Sequence, residues 1–265
     1  MVEIKVKTMA QWASEGKTPE YLYWVGCMGS YDDRAKKITR AFVKLLNEAG
    51  VEFGVLGPEE TCSGDPAKRA GNEFLFQMQA MTNIETMNAY GVKKIITTCP
   101  HCFNTFKNEY PGLGGKYEVI HHTELLEKLL DEGRLKVKDN DFIKKNFTYH
   151  DPCYLGRGND RYEAPRKAVQ HTGISLKEMP RHKENAVCCG AGGAQMFKEA
   201  EPQKEEIFVY RTREALETDP DVIITACAFC NTMISDGVKH FNKENEVKVL
   251  DLAEVILKSM EEPEG

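Results

Sequence analysis

Nine cysteines carry the chemistry of this chain, and they fall into two copies of one spacing pattern. In the first copy, 34 residues separate Cys27 from Cys62, and 36 more lead to Cys99 and Cys102, a C-x2-C pair. In the second, 34 residues separate Cys153 from the adjacent Cys188 and Cys189, and 37 more lead to Cys227 and Cys230, again C-x2-C. Corresponding cysteines lie 126 or 128 residues apart, and none is left over. Thiolates repeated in this way, in a chain whose start does not read as a secretory leader, indicate metal sites rather than a disulfide framework.

Four converging thiolates can hold zinc or an iron–sulfur cluster. Structural zinc usually takes two compact C-x2-4-C knuckles, whereas each half here has one such pair and two widely separated positions. That arrangement favours a larger cluster held by three loops, with zinc as the alternative. The run CCGAGG at 188–193 sharpens the reading of the second half. Adjacent cysteines point apart in extended backbone, and glycines admit the dihedrals that bring them together. Gly190, Gly192 and Gly193 would also let backbone N–H groups approach inorganic sulfide; the plainer alternative is a simple turn.

The elements that position these residues repeat as well. YLYWVGC (21–27) matches FTYHDPC (147–153), KKIITTCPHCFNT (93–105) matches DVIITACAFCNT (221–232), and YEVIHHTELLEKLL (117–130) matches VKVLDLAEVILKSM (247–260). Short apolar runs predict strands at 21–25, 51–56, 94–97, 117–120, 147–149, 174–176, 222–225 and 247–250. Ala35, Ile38, Phe42, Leu45, Leu46 and Ala49 step by three and four, the mark of a helix with one buried face, and Gly50 stops it. Apolar strands alternating with helices imply parallel α/β units. Two pseudo-symmetric α/β domains are expected, residues 1–140 and 141–265, with the charged stretch 132–146 as linker. Most of the cysteines then stand at the carboxyl edge of the strands, where open parallel sheets bind ligands.

The composition agrees with two soluble domains: 265 residues, 41% hydrophobic, net charge −6 with acids and bases interspersed. No nucleic-acid partner is expected, and no stretch approaches the ~20 apolar residues of a membrane span. A cytoplasmic location is expected, with docking onto a membrane complex left open.

Cys153, the Cys188-Cys189-Gly190 run and the Cys227/Cys230 pair together resemble the cysteine-rich CCG domain. That domain occurs in tandem in heterodisulfide reductase subunits and in related iron–sulfur subunits of glycolate, lactate and electron-transfer-flavoprotein oxidoreductases. The resemblance covers roughly residues 20–260. It implies two Rossmann-like domains and a non-cubane 4Fe-4S cluster held by Cys153, Cys188, Cys189, Cys227 and Cys230, with Cys188 and Cys189 as the candidates for direct chemistry.

The first half departs from the pattern: it reads Thr61-Cys62-Ser63-Gly64, with Ser63 in place of the second vicinal cysteine. The remaining Cys27, Cys62, Cys99 and Cys102 suit a conventional 4Fe-4S cubane, or zinc. Ser63 and Gly64 then become cofactor-contacting residues, Ser63 as a hydrogen-bond donor rather than a ligand. With one site altered, heterodisulfide cleavage is doubtful. An electron-transfer subunit is the leading reading, a catalytic disulfide or quinone reductase subunit the second, and a structural or anchoring subunit the third. The chain has no ferredoxin-type C-x2-C-x2-C-x3-C run and no dinucleotide fingerprint. A partner subunit carrying ferredoxin-type clusters, flavin or haem must therefore exchange its electrons.

Several further residues invite expectations. His101 and His150 neighbour ligands and could tune or protonate a cluster, with a plain hydrogen-bonding or turn role favoured at His101. His121 and His122 stand where the second half has Asp251 and Leu252, a hint of a use peculiar to the first site, with drift after duplication as the alternative. Asp33-Arg34 and Asp160-Arg161 recur after each first cysteine, to offset cluster charge or cap a helix. A short N-terminal segment with Met9, Ala10, Trp12 and Ala13 packs on its own domain or docks on a partner. Asp65-Pro66 predicts a helix start facing the first cluster.

Overall fold

A computed structural model describes residues 4–199, 202 and 204–262. Two small parallel sheets, each flanked by helices, make up the protein, as the alternating pattern predicts. In the first half β1 (Tyr21–Trp24), β2 (Phe53–Gly54), β3 (Lys94–Thr97) and β4 (Glu118–His121) lie in the order β2-β1-β3-β4. In the second, β5 (Phe147–Tyr149), β6 (Val222–Thr225) and β7 (Lys248–Asp251) lie in the order β5-β6-β7. Thus β5, β6 and β7 repeat β1, β3 and β4.

The helices before the midpoint are α1 (Met9–Ser14), α2 (Gly26–Tyr31), α3 (Ala35–Glu48), α4 (Asp65–Arg69), α5 (Glu73–Ala89), α6 (Pro100–Asn104) and α7 (His122–Asp131). Those after it are α8 (Glu163–His171), α9 (Ile207–Leu216), α10 (Ala228–His240) and α11 (Leu252–Ser259). In α3 the expected stripe is buried, and Gly50 ends the helix with φ +64°, a left-handed value that glycine adopts without strain. The N-terminal segment packs on its own domain: Met9 is buried and Trp12 Nε1 donates to Phe53 O at 3.0 Å.

The expected edge strands shorten. In the first half only Phe53 and Gly54 pair with β1, and Val55 bridges to Thr8 instead. In the second, the run 174–176 reduces to one bridge between Leu176 and Phe147. An edge strand has one neighbour to hold it. Here Glu178 turns away to Arg166 at 2.6 Å, and Pro180 follows with no N–H to offer a ladder.

The halves share a core. Buried residues of α3, α7, α8 and α11 and of both sheets form one continuous apolar cluster. The leading contacts between halves are reciprocal, α3 against α11 and α7 against α8. Residues 132–146 run along this interface rather than hanging free. Leu135 is buried, Lys138 N donates to Ser259 O at 2.8 Å, and the Asn140 amide donates to Lys258 O and Glu261 O.

Candidate metal centres

Neighbouring strands deliver the cysteines of each half to one place. Cys27 follows β1 and Cys99 follows β3; Cys153 follows β5 and Cys227 follows β6. Cys99 and Cys227 are the N-cap residues of α6 and α10, so each C-x2-C pair puts its second sulfur, on Cys102 or Cys230, in the first helical turn. Cys62 and Cys188 arrive on loops. Cys99, Cys102, Cys189, Cys227 and Cys230 are buried, while Cys27, Cys62, Cys153 and Cys188 are half-buried. Each centre therefore has a closed inner side and a rim near the surface.

The two loops are one device used twice. Gly64 N donates to Cys62 Sγ at 3.4 Å, and Gly190 N donates to Cys188 Sγ at 3.3 Å. Both glycines adopt φ +90°, which strains any residue with a Cβ. Between each cysteine and its glycine, Ser63 Oγ lies 3.4 Å from Cys102 Sγ, and Cys189 Sγ lies 3.3 Å from Cys230 Sγ. Ser63 thus occupies the position that Cys189 fills in the other half. Gly192 and Gly193 do less: a Cβ on Gly192 would meet only Tyr154 and His101, and one on Gly193, at φ +66°, would meet open space.

The sulfurs crowd one another. Cys153 Sγ lies 3.9 Å from Cys188 Sγ. A hydrogen bond from Cys27 holds the Cys62 thiol down to about 7, and the same contact pushes Cys27 up. Burial opposes ionisation of Cys227, but hydrogen bonds from Cys230 and His101 hold it down to about 5. Cys102, Cys189 and Cys230 are pushed well up, chiefly by neighbouring thiols. Ionising every thiol of a set at once requires a cationic group between them.

His101, inside the first C-x2-C pair, joins the two centres. Its Nδ1 pairs with Asp65 Oδ2 at 2.9 Å, and its ring stacks on Tyr154 at 4.3 Å and meets Phe229 at 4.9 Å. Burial opposes its charge, but Asp65 and Cys227 hold it well above the ordinary histidine value. Asp65 opens α4 and is gripped by Arg69, which also binds Glu109 and lies over the Tyr154 ring. His101 does make a hydrogen bond, to Asp65 of its own half, while its ring contacts cross to the other half.

His150 Nδ1 accepts from Arg211 Nε at 3.0 Å, and burial followed by the Arg211 charge holds the ring down to about 3. The hint of a first-site use for His121 and His122 is not met. Both are wholly buried at the interface between halves, where His122 Nε2 meets Asp251 Oδ1 at 3.0 Å. Arg34 and Arg161 also reach the opposite half rather than a cysteine, pairing with Glu254 and Glu124. Sequence reasoning named Asp65 only as part of a helix start and passed over Tyr154, Trp24 and Arg211; for Trp24 the repeat held a signal, since it aligns with His150.

Two clefts lie near the centres. One of about 380 Å³ is lined by Cys27 and Cys62 together with Glu60, whose carboxylate accepts from Val25 N and Gly26 N and is raised by burial to about 7. The other, of about 720 Å³, lies beside Gly190 and is walled by Met196, Ile207, Phe208 and Met233.

Comparison with known proteins agrees with this geometry. The chain is 48% identical to an EtfAB:quinone oxidoreductase of Syntrophomonas wolfei over 93% of its length, covering 35% of that protein. It is 46% identical to the probable iron-sulfur-binding oxidoreductase FadF of Bacillus subtilis, covering 97% of this chain and 36% of that one. It is 35% identical to a subunit of the dihydromethanophenazine:CoB--CoM heterodisulfide reductase of Methanosarcina barkeri, covering 91% and 59%. The chain thus spans about a third of the length of the first two relatives. Its fold resembles a hypothetical protein from Helicobacter pylori, with a TM-score of 0.57 at 13% identity over 93% of this chain and 50% of that one. The cysteine-rich CCG domain model matches residues 21–107 and 147–235, and the chain belongs to that family, carrying its domain twice.

Proposed function

We propose that this chain is the iron–sulfur electron-transfer part of a larger oxidoreductase. It would pass electrons between a flavoprotein or iron–sulfur partner and a quinone or disulfide acceptor. The observation that carries the reading is Ser63 standing in the place of Cys189 within otherwise equivalent loops. One half then offers four thiolates and the other five. Cys27, Cys62, Cys99 and Cys102 would hold a conventional 4Fe-4S cluster, and Cys153, Cys188, Cys189, Cys227 and Cys230 a non-cubane one. Such clusters store and release single electrons.

Spacing argues against zinc in the first half. A tetrahedral zinc with Zn–S near 2.3 Å places its sulfurs about 3.8 Å apart. Among the described residues, no three first-half sulfurs lie within 4.8 Å of one another. Around the centres, Gly64 and Gly190 supply N–H donors, while His101 and Asp65 bind the two halves together where the centres face each other. Cys188 and Cys189 are the residues where direct chemistry would occur.

The domain division at residue 140 follows the repeat. A partner bearing ferredoxin-type clusters, flavin or haem is in keeping with relatives that are longer than this chain. Among the described residues no helix is long and apolar enough to cross a membrane; placement on the cytoplasmic face of a membrane complex is part of this proposal. A second reading, a disulfide reductase subunit, draws on Cys188, half-buried at the rim of the second centre, with a cleft beside the neighbouring Gly190. Anaerobic purification with iron, sulfide and zinc analysis and electron paramagnetic resonance tests the assignment. About eight irons per chain with one conventional and one atypical signal is expected; zinc in both halves would end it. Turnover of a disulfide by the chain alone would favour the second reading.

A further inference from the structure

Two buried N–H donors stand without a protein acceptor at equivalent places in the two halves. The repeat aligns residues 21–27 with 147–153, so Trp24 and His150 occupy the same position, three residues before Cys27 and Cys153. Both side chains are 0% exposed. Neither Trp24 Nε1 nor His150 Nε2 has a hydrogen-bond partner among the described residues. Leaving such a group unpaired costs about 1–3 kcal/mol, so a matched pair of orphans points to an acceptor that the protein chain does not itself supply.

The surroundings indicate what that acceptor is. A Cβ placed on Gly26 would stand 4.0 Å from Trp24 Nε1 and 3.6 Å from Cys102 Sγ. Indole and thiol therefore border the same gap, which Gly26 leaves open beside Cys27. In the second half a ring nitrogen of His150 and the sulfurs of Cys189 and Cys230 lie within 4.8 Å of one another. That trio looks like a metal-ligand set, but Arg211 changes its chemistry. Arg211 Nε donates to His150 Nδ1 at 3.0 Å, and an arginine cannot accept. Nδ1 must then hold a lone pair, and the ring proton sits on Nε2. A ligating nitrogen needs its lone pair free, so in this tautomer Nε2 can donate a hydrogen bond but cannot bind a metal. Arg211 is itself 0% exposed and is fixed by Glu214 Oε2 at 2.6 Å and Arg181 O at 2.9 Å.

We propose that Trp24 and His150 are matched hydrogen-bond donors to the sulfur atoms of the two centres, and that Arg211 is the positioning residue that holds His150 in its donating form. The inference rests on the iron–sulfur reading above. A donor aimed at cluster sulfur stabilises the more negative, reduced state and raises the reduction potential. Loss of one donor is expected to lower the one-electron reduction equilibrium about tenfold, which corresponds to about 59 mV.

The test is a resonance-monitored redox titration of the anaerobically purified full chain and its variants. Trp24→Phe should lower the potential of the first centre alone, and His150→Leu that of the second alone. His150→Gln keeps an acceptor for Arg211 and a donor for the centre, and should restore the second potential. Arg211→Met should shift the second centre and spare the first. Unchanged potentials in Trp24→Phe and His150→Leu chains that retain full iron would overturn the inference. Should a substituted chain fail to fold, the wild-type protein answers directly. With 15N in its tryptophan indoles and histidine rings, the reduced centres should show nuclear couplings to both labels and to an exchangeable proton in each half. Absence of those couplings overturns the inference while the clusters stand. Absence of iron and sulfide from the wild-type chain overturns the proposed function first, and this inference with it.

Discussion

Arg34 of the first half binds Glu254 of the second at 2.6 Å, and 127 residues later Arg161 repeats the contact in reverse, binding Glu124 of the first half at 2.7 Å. Each arginine follows the first cysteine of its own half. Each glutamate is the third residue of the helix after its half's last strand, α7 or α11, and also accepts from the backbone N–H that opens that helix. The recurring arginines are thus halves of a reciprocal clamp that ties each half to the other's last helix.

The clamp can be measured by a double-mutant cycle. Arg34→Ala with Glu254→Ala should show a coupling of about 1 kcal/mol in denaturant unfolding, and Arg161→Ala with Glu124→Ala somewhat less. The first pair is better shielded, and Arg34 donates in addition to Val249 O at 2.7 Å. Both couplings should shrink in high salt. Strictly additive losses, with the double variant weakened by the sum of the two singles, would mean zero coupling and halves held by their apolar core alone.

Ser63→Cys tests the asymmetry of the centres. The new sulfur would sit beside Cys102 as Cys189 sits beside Cys230. The first centre should then acquire the atypical resonance signal of the second at unchanged total iron. Identical spectra before and after substitution would count against the division into four-thiolate and five-thiolate sites.

Acid stability should depend on Glu214. Burial works to raise its pKa, but Arg181 and Arg211 outweigh burial and hold the carboxyl below its ordinary 4.5. As pH falls through about 4.5, the unfolded chain takes up this proton before the folded one. The contribution of Glu214 is therefore present above that value and is lost as pH falls toward the depressed folded value. Glu214→Gln should weaken the protein at pH 7 and flatten this part of its acid limb, followed by chemical denaturation at a series of pH values. Because Glu214 fixes Arg211, the same substitution should disturb the second centre and leave the first alone.

Gly237→Ala sets two effects in opposition. Alanine in a helix interior is favoured over glycine by ~1 kcal/mol. A Cβ here, however, would stand 2.0 Å from Thr212 Oγ1 and 2.6 Å from Thr212 Cβ, both on a buried residue of α9. Overpacking of this kind costs about 1–3 kcal/mol, so net destabilisation is expected in thermal unfolding. Since α9 carries Arg211, a shift in the second centre's spectrum should accompany it.

Much of the fold and site is legible in the residues themselves. The stripe of α3, the strands before Cys27, Cys99, Cys153 and Cys227, and the convergence of each cysteine set follow from local period and spacing. The edge strand at 174–176 was less legible, because a three-residue apolar run does not reveal that Glu178 will turn to Arg166. His122 and Asp251 look like asymmetric drift in the repeat until they are seen paired across it.

By itself the sequence determined that this is a duplicated α/β chain with metal-type cysteine sets, four cysteines in one half and five in the other. Spacing and periodicity record how neighbouring residues sit on one strand, helix or loop, and those are local matters. The tertiary structure decided what faces what across the duplication. It placed His101 of the first half against Cys227 of the second, and Arg34 on Glu254, and it turned His150 from apparent ligand to donor through Arg211. Those partners are 61 to 220 residues apart, and no local pattern encodes which buried polar group will meet which. Packing of the shared core brings them together, and the cost of leaving a buried polar atom unpaired then selects their roles.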